Sequence, residues 1–253
     1  CGSAAAEAAP TKAAITASVA TAAVIAATMT DTAIATATET AFTTAIALAT
    51  ATATDNALAT ITVTAIATTL DTALASSLAN ATTTDSTLTY REFDKFVNFI
   101  KHKDFEGLPE AHLARGLPDV GFVESYRRFA KSLIAVGSGA GQDRQVGLEI
   151  EIVALSNPYT DDLSEGMAVQ VLLNAAPRAD VQVEVFSRHA GTKEPALIQL
   201  YRTDALGIAR FPVISGREYM VDNVALRPVE PASADDPVWH SLWANLTFAV
   251  PEN

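Results

Sequence analysis

The chemistry of this 253-residue chain breaks near residue 90. Before Tyr90 it is dominated by Ala and Thr and contains no Arg, His, Gln or Trp. After it, charges, glycines, prolines and aromatics interleave as in an ordinary domain. The break limits what the first half can fold into, because turns between strands draw on Gly, Pro, Asn and Asp for specific backbone reasons. No Gly lies between Gly2 and Gly107, and no Pro between Pro10 and Pro109. Period-two runs such as Ala59-Thr-Ile-Thr-Val-Thr-Ala-Ile66 still carry a strand pattern. Asp31, Asp55-Asn56, Asp71, Asn80 and Asp85 are their turn formers. Phe42, the one aromatic before Tyr90, makes a thin core for a sandwich. The segment reads as a low-complexity β domain or as a Thr-rich, O-glycosylated stalk. Residues 13 to 30 carry no charge and approach the length of a membrane-spanning helix, but hold few Leu, Ile or Phe to drive insertion.

The net charge of -12 and pI near 4.7 argue against a nucleic-acid partner, whose phosphates reward Lys and Arg. The lone cysteine is residue 1, so no disulfide can form within the chain. Cys1-Gly-Ser followed by Ala-Ala-Ala-Glu-Ala-Ala-Pro10 has the form of a mature bacterial lipoprotein. Cys1 is therefore the predicted lipidation site and residues 1–11 a tether. Covalent lipid there is the only added group expected, and the membrane the first partner.

Phe93, Phe96, Val97 and Ile100 fall at i, i+3, i+4 and i+7, which predicts an amphipathic helix over 90–103. Phe122, Tyr126, Phe129 and Leu133 predict a second helix from Phe122 to about Leu133, with Arg127, Arg128 and Lys131 as its basic strip. Gly137-Ser-Gly-Ala-Gly141 lacks the context of a phosphate loop and reads as a linker or hairpin tip. From Val146 the strand pattern recurs: 148–152, 167–173, 181–185, 196–201, 208–211, 219–226 and 242–250. These segments, about seven, suit an antiparallel immunoglobulin-like sandwich.

Two further groups of residues carry a resemblance: Phe122-Val-Glu-Ser-Tyr126 through Gly137 with Val146-Gly-Leu-Glu149 and Asn157-Pro158-Tyr159, and the Thr203-Asp204-Ala-Leu-Gly207 turn with Ser241-Leu-Trp243 through Phe248. Together they resemble the DUF4198 family of bacterial envelope proteins over about residues 90 to 250. The resemblance implies a secreted or periplasmic protein without established enzymatic activity. It also implies a mainly β fold of two immunoglobulin-like antiparallel β-sandwich domains joined by a short helical segment. The domains would run 12–89 and 143–253, with 90–142 as linker.

No short, regular His or Cys spacing marks a zinc site. His102 and His112 could converge across the linker, with Glu106 or Glu110, on a divalent metal. Glu149 and Glu151 share one strand face and read as solvent-facing. Acids at 161–162, 165 and 235–236 sit in loops. No Gly-x-Ser-x-Gly elbow is present. Of Trp239 and Trp243, one is expected in the core and one as a surface contact. The leading expectation is a non-enzymatic, lipid-anchored accessory subunit of a larger membrane complex, respiratory or photosynthetic. It would sit on the periplasmic side. The alternative, implied by the resemblance, is nickel or cobalt capture for uptake.

Overall fold

A computed structural model describes residues 62–65, 77–135 and 138–252, all within one compact unit, 57–253. Cys1, the tether 1–11, the candidate span 13–30 and most of the expected first sandwich lie outside the described residues. The elements are β1 (Thr62–Ala65), β2 (Ser77–Thr82), β3 (Ser86–Tyr90), α1 (Phe93–His102), α2 (Leu108–Ala114), β4 (Phe122–Ile134), β5 (Ile150–Ala154) and β6 (Met167–Leu173). They continue with β7 (Ala176–Pro177), β8 (Gln182–His189), β9 (Leu197–Arg202), β10 (Ile208–Phe211), β11 (Arg217–Pro228) and β12 (Pro237–Val250). The protein is mainly β with two sheets. No described helix is long and apolar enough to cross a membrane.

The larger sheet runs β1-β2-β4-β12-β11-β8-β9, and β3 continues along the edge of β4 that β2 begins. The smaller sheet is β10-β6-β5, with β7 on β6. All seven strand segments expected after Val146 are strands. The large sheet spans the boundaries anticipated at 89/90 and 142/143, because β2 and β3 pair with β4, and β4 with β12.

One expectation is overturned. Residues 122–134 form a strand, not a helix, and pair in parallel with β12, so the large sheet is not purely antiparallel. The basic strip disappears with the helix. Pleat alternation sends Phe129, Lys131 and Leu133 to one face, while Phe122 and Glu124 point to the other. Two of these five buried positions are charged. The period-two signal was therefore masked, and the aromatic spacing left a helical pattern in its place.

Each face of the large sheet has its own cover. Phe129, Val183, Val185, Val221, Leu246 and Phe248 pack with Ile150, Ile152, Val169 and Phe211 of the small sheet. On the opposite face Phe96 and Ile100 of α1 join Tyr90, Phe122 and Trp239. Each such fully buried side chain contributes roughly 1.5–3 kcal/mol. Trp239 is the core tryptophan expected; Trp243 is partly exposed and stacks on Phe99 at 5.8 Å. The Thr203–Gly207 turn closes as its sequence implies. Asp204 Oδ1 accepts from the Leu206 and Ile208 amides, and Gly207, at φ +72°, leaves no room for a Cβ 2.8 Å from the Val171 carbonyl.

Candidate functional site

The end of α1 sets the first wall of the site. Lys103 caps the helix and Asp104 follows in the left-handed region (φ 57°). The Phe105 amide bonds to the Ile100 carbonyl at 2.9 Å and the Asp104 amide to Lys101 at 3.2 Å. Phe105 packs on Phe99, 6.3 Å between ring centres. This is a Schellman ending, and it fixes the direction in which Lys103 leaves the helix. The Lys103 ammonium enters the sheet face between Glu184 of β8 and Asp222 of β11, at 2.9 and 2.8 Å, and lies 4.9 Å from the Trp243 ring centre.

Glu184 and Asp222 are neighbours across the β8–β11 ladder. Both Asp222 oxygens accept, from Lys103 and from Asn245 Nδ2 at 2.7 Å. Burial pushes the Asp222 carboxyl above the ordinary carboxylate range, while the adjacent Lys103 opposes the shift. Glu184 is used unevenly. Its Oε1 meets Lys103, Gln182 Nε2 at 3.1 Å and His102 Nε2 at 3.3 Å, but its buried Oε2 has no partner.

Arg178, Asn223 and Gln182 complete a cavity of about 70 Å³ over these groups. Nη1 of Arg178 donates to Asn223 Oδ1 and to the Val224 carbonyl at 2.9 Å. No carboxylate among the described residues pairs with this guanidinium, and burial lowers its pKa to about 10. At the rim Asp104 and Asp180 are both bound by Arg202.

The histidines singled out in the sequence have separate partners. His102 is exposed and lies beside Glu184. His112 is wholly buried among Phe93, Phe96, Phe122 and Trp239. Its Nδ1 accepts from Trp239 Nε1 at 3.0 Å and its Nε2 lies 2.8 Å from the Pro118 carbonyl, a pairing that fits the tautomer protonated on Nε2. Both ring nitrogens are thus engaged within the protein. Among the described residues no three His, Cys, Asp or Glu side chains are grouped to hold a metal.

Three polar clusters escaped sequence reasoning. Lys131, expected at the surface, is buried between Asp143 at 2.9 Å and Glu151 at 3.0 Å. Glu151, expected to face water, also accepts the amides of Val146, Gly147 and Leu148. Glu124 accepts from Tyr90 at 2.7 Å and from Ser241, and no cation among the described residues pairs with it. Ser125 Oγ lies 2.7 Å from His240 Nδ1 across the parallel β4–β12 pair. Asp85 and Glu149, the acids whose charge acts on His240, are held by Arg127 and Arg227. Two clusters lie across distant strands, so their components carry no local spacing signal.

A family model described as a domain of unknown function (DUF4198) matches residues 15–225. The chain belongs to that family. The match begins well before the region of resemblance, so the Ala/Thr-rich half of this DUF4198 protein lies mostly inside it. No curated protein and no solved structure matches the chain.

Proposed function

We propose that this DUF4198 protein is a non-enzymatic accessory subunit of a bacterial envelope assembly, lipid-anchored through Cys1 and built on immunoglobulin-like sandwiches. It docks on a larger membrane complex at the periplasmic side.

One observation carries this reading. β9 ends the large sheet, and no described strand pairs with its outer side. Leu197, Ile198 and Leu200 of this strand are 55%, 49% and 58% exposed. Edge strands are ordinarily blunted by charge, Pro or a bulge, because open amides and apolar side chains recruit another chain. Residues Leu197 to Tyr201 contain neither charge nor Pro. Strand alternation sets Ile198 and Leu200 on the face opposite Leu197, so a partner that pairs with β9 covers apolar surface on both faces.

Gentle solubilisation of native membranes, followed by size separation, tests the reading. The chain should elute with a fixed stoichiometry in a larger assembly. Elution of all of it as a free monomer overturns the proposal.

A further inference from the structure

The cavity beneath the end of α1 brings together a buried carboxylate oxygen without a donor and a guanidinium edge without a protein acceptor among the described residues. Glu184 Oε2 is a buried acceptor without a donor, on a side chain only 2% exposed. Leaving such an oxygen unpaired costs the desolvation of the group. Across the same cavity Arg178 Nη1 is committed to Asn223 and Val224, while Nε and Nη2 have no acceptor among the described residues. A guanidinium presents these donors in a fixed fork suited to a carboxylate.

Glu184 and Asp222 share the Lys103 ammonium, and His102 Nε2 lies 3.3 Å from Glu184 Oε1, whereas Arg178 has no carboxylate partner among the described residues; Asp104 and Asp180 at the rim are held by Arg202. A cation alone leaves the Arg178 fork empty, and an anion alone leaves Glu184 Oε2 without a donor. A small molecule with both groups satisfies both ends.

We propose that this cavity binds a small zwitterion, an amino-acid-sized molecule whose ammonium donates to Glu184 Oε2 and whose carboxylate lies on the free edge of Arg178. The walls are held before the ligand arrives. Lys103 is directed by the Schellman ending, Glu184 and Asp222 stand side by side in the ladder, and the Arg178 amide is tied to the Val171 carbonyl at 2.9 Å. A cavity of about 70 Å³ is several times what one water requires and restricts the ligand to a short chain. The cavity adjoins the β9 edge, because Glu184 stands opposite Leu200 in the β8–β9 ladder, but titration of the isolated chain needs no docked partner, so either proposal can fail alone.

The test is isothermal titration of the full chain with glycine, β-alanine and γ-aminobutyrate, and with methylammonium and acetate as half-ligands. At least one zwitterion should bind saturably at millimolar concentration, about tenfold or more tighter than either half-ligand. Glu184→Gln and Arg178→Gln, each checked for native circular dichroism, should each weaken that binding about tenfold or more. Should either variant fail to fold, the comparison of whole and half-ligands on the native chain still decides. A cavity that holds only water gives no saturable heat with any of the five up to about 50 mM, and that result overturns the proposal. A half-ligand that binds as tightly as the zwitterions, or a folded Glu184→Gln protein with unchanged affinity, overturns it too.

Discussion

Lys131 Nζ lies 3.0 Å from Glu151 Oε1, and both side chains are almost completely buried. The pair, with Asp143 as its third member, joins β4 to β5 and to the loop that precedes it, across the two sheets. Removing the cation leaves two desolvated carboxylates facing each other. Lys131→Met should therefore cost about 3–5 kcal/mol of unfolding free energy, far above a surface change. Urea unfolding at neutral pH measures it; a loss below about 1 kcal/mol contradicts the assignment.

Glu124 gives an inverted pH dependence. Burial raises its pKa above the ordinary 4.5, while the donors Ser241 and Tyr90 oppose the shift. A carboxyl with a raised folded pKa contributes fully to stability below its unfolded value. That contribution is lost as pH rises through the folded value. Glu124→Gln removes this titration. Relative to the native chain, the variant should gain stability between pH about 4 and 8. Unfolding curves at both pH values check it, and a constant difference between the two proteins refutes it.

His112 behaves as a core residue in this structure. His112→Ala deletes a fully buried ring and leaves Trp239 Nε1 without its acceptor. The expected loss is roughly 2–5 kcal/mol, the same with or without nickel or cobalt salts. A melting temperature of the native chain that rises with either metal, and fails to rise in the variant, would restore His112 as a ligand.

Local periodicity made part of this fold legible. Met167, Val169 and Val171 alternate in the sequence and are all buried in β6, and Phe96 and Ile100 are the buried stripe of α1. β4 was not legible, because Glu124 and Lys131 occupy inward positions that a hydrophobic pattern leaves blank. Their partners, Ser241, Asp143 and Glu151, lie 117, 12 and 20 residues away. Helix α2 is hidden because Gly107-Leu108-Pro109 has the composition of a helix stop, whereas Pro109 sits in the first turn of α2, where its missing N–H costs nothing. The candidate cavity was invisible for the same reason as β4. Lys103, Arg178, Glu184 and Asp222 are brought together only by strand register and the end of α1.

Leu200 separates folding from docking. It is more than half exposed on an edge strand, so Leu200→Lys should change stability by no more than about 0.5 kcal/mol. The same substitution places a charge on the proposed contact and should release the chain from the solubilised assembly. Release without unfolding is the expected result, read by size separation and thermal melting of the same samples.

The central claim, that β9 pairs with a partner, is tested most directly by hydrogen–deuterium exchange of the peptide covering residues 197–202. The measurement compares the membrane-extracted assembly with the isolated chain. Amides on the open side of β9 should exchange quickly in the isolated chain and become protected in the assembly, as a paired strand requires. Equal exchange in the two samples would contradict the claim.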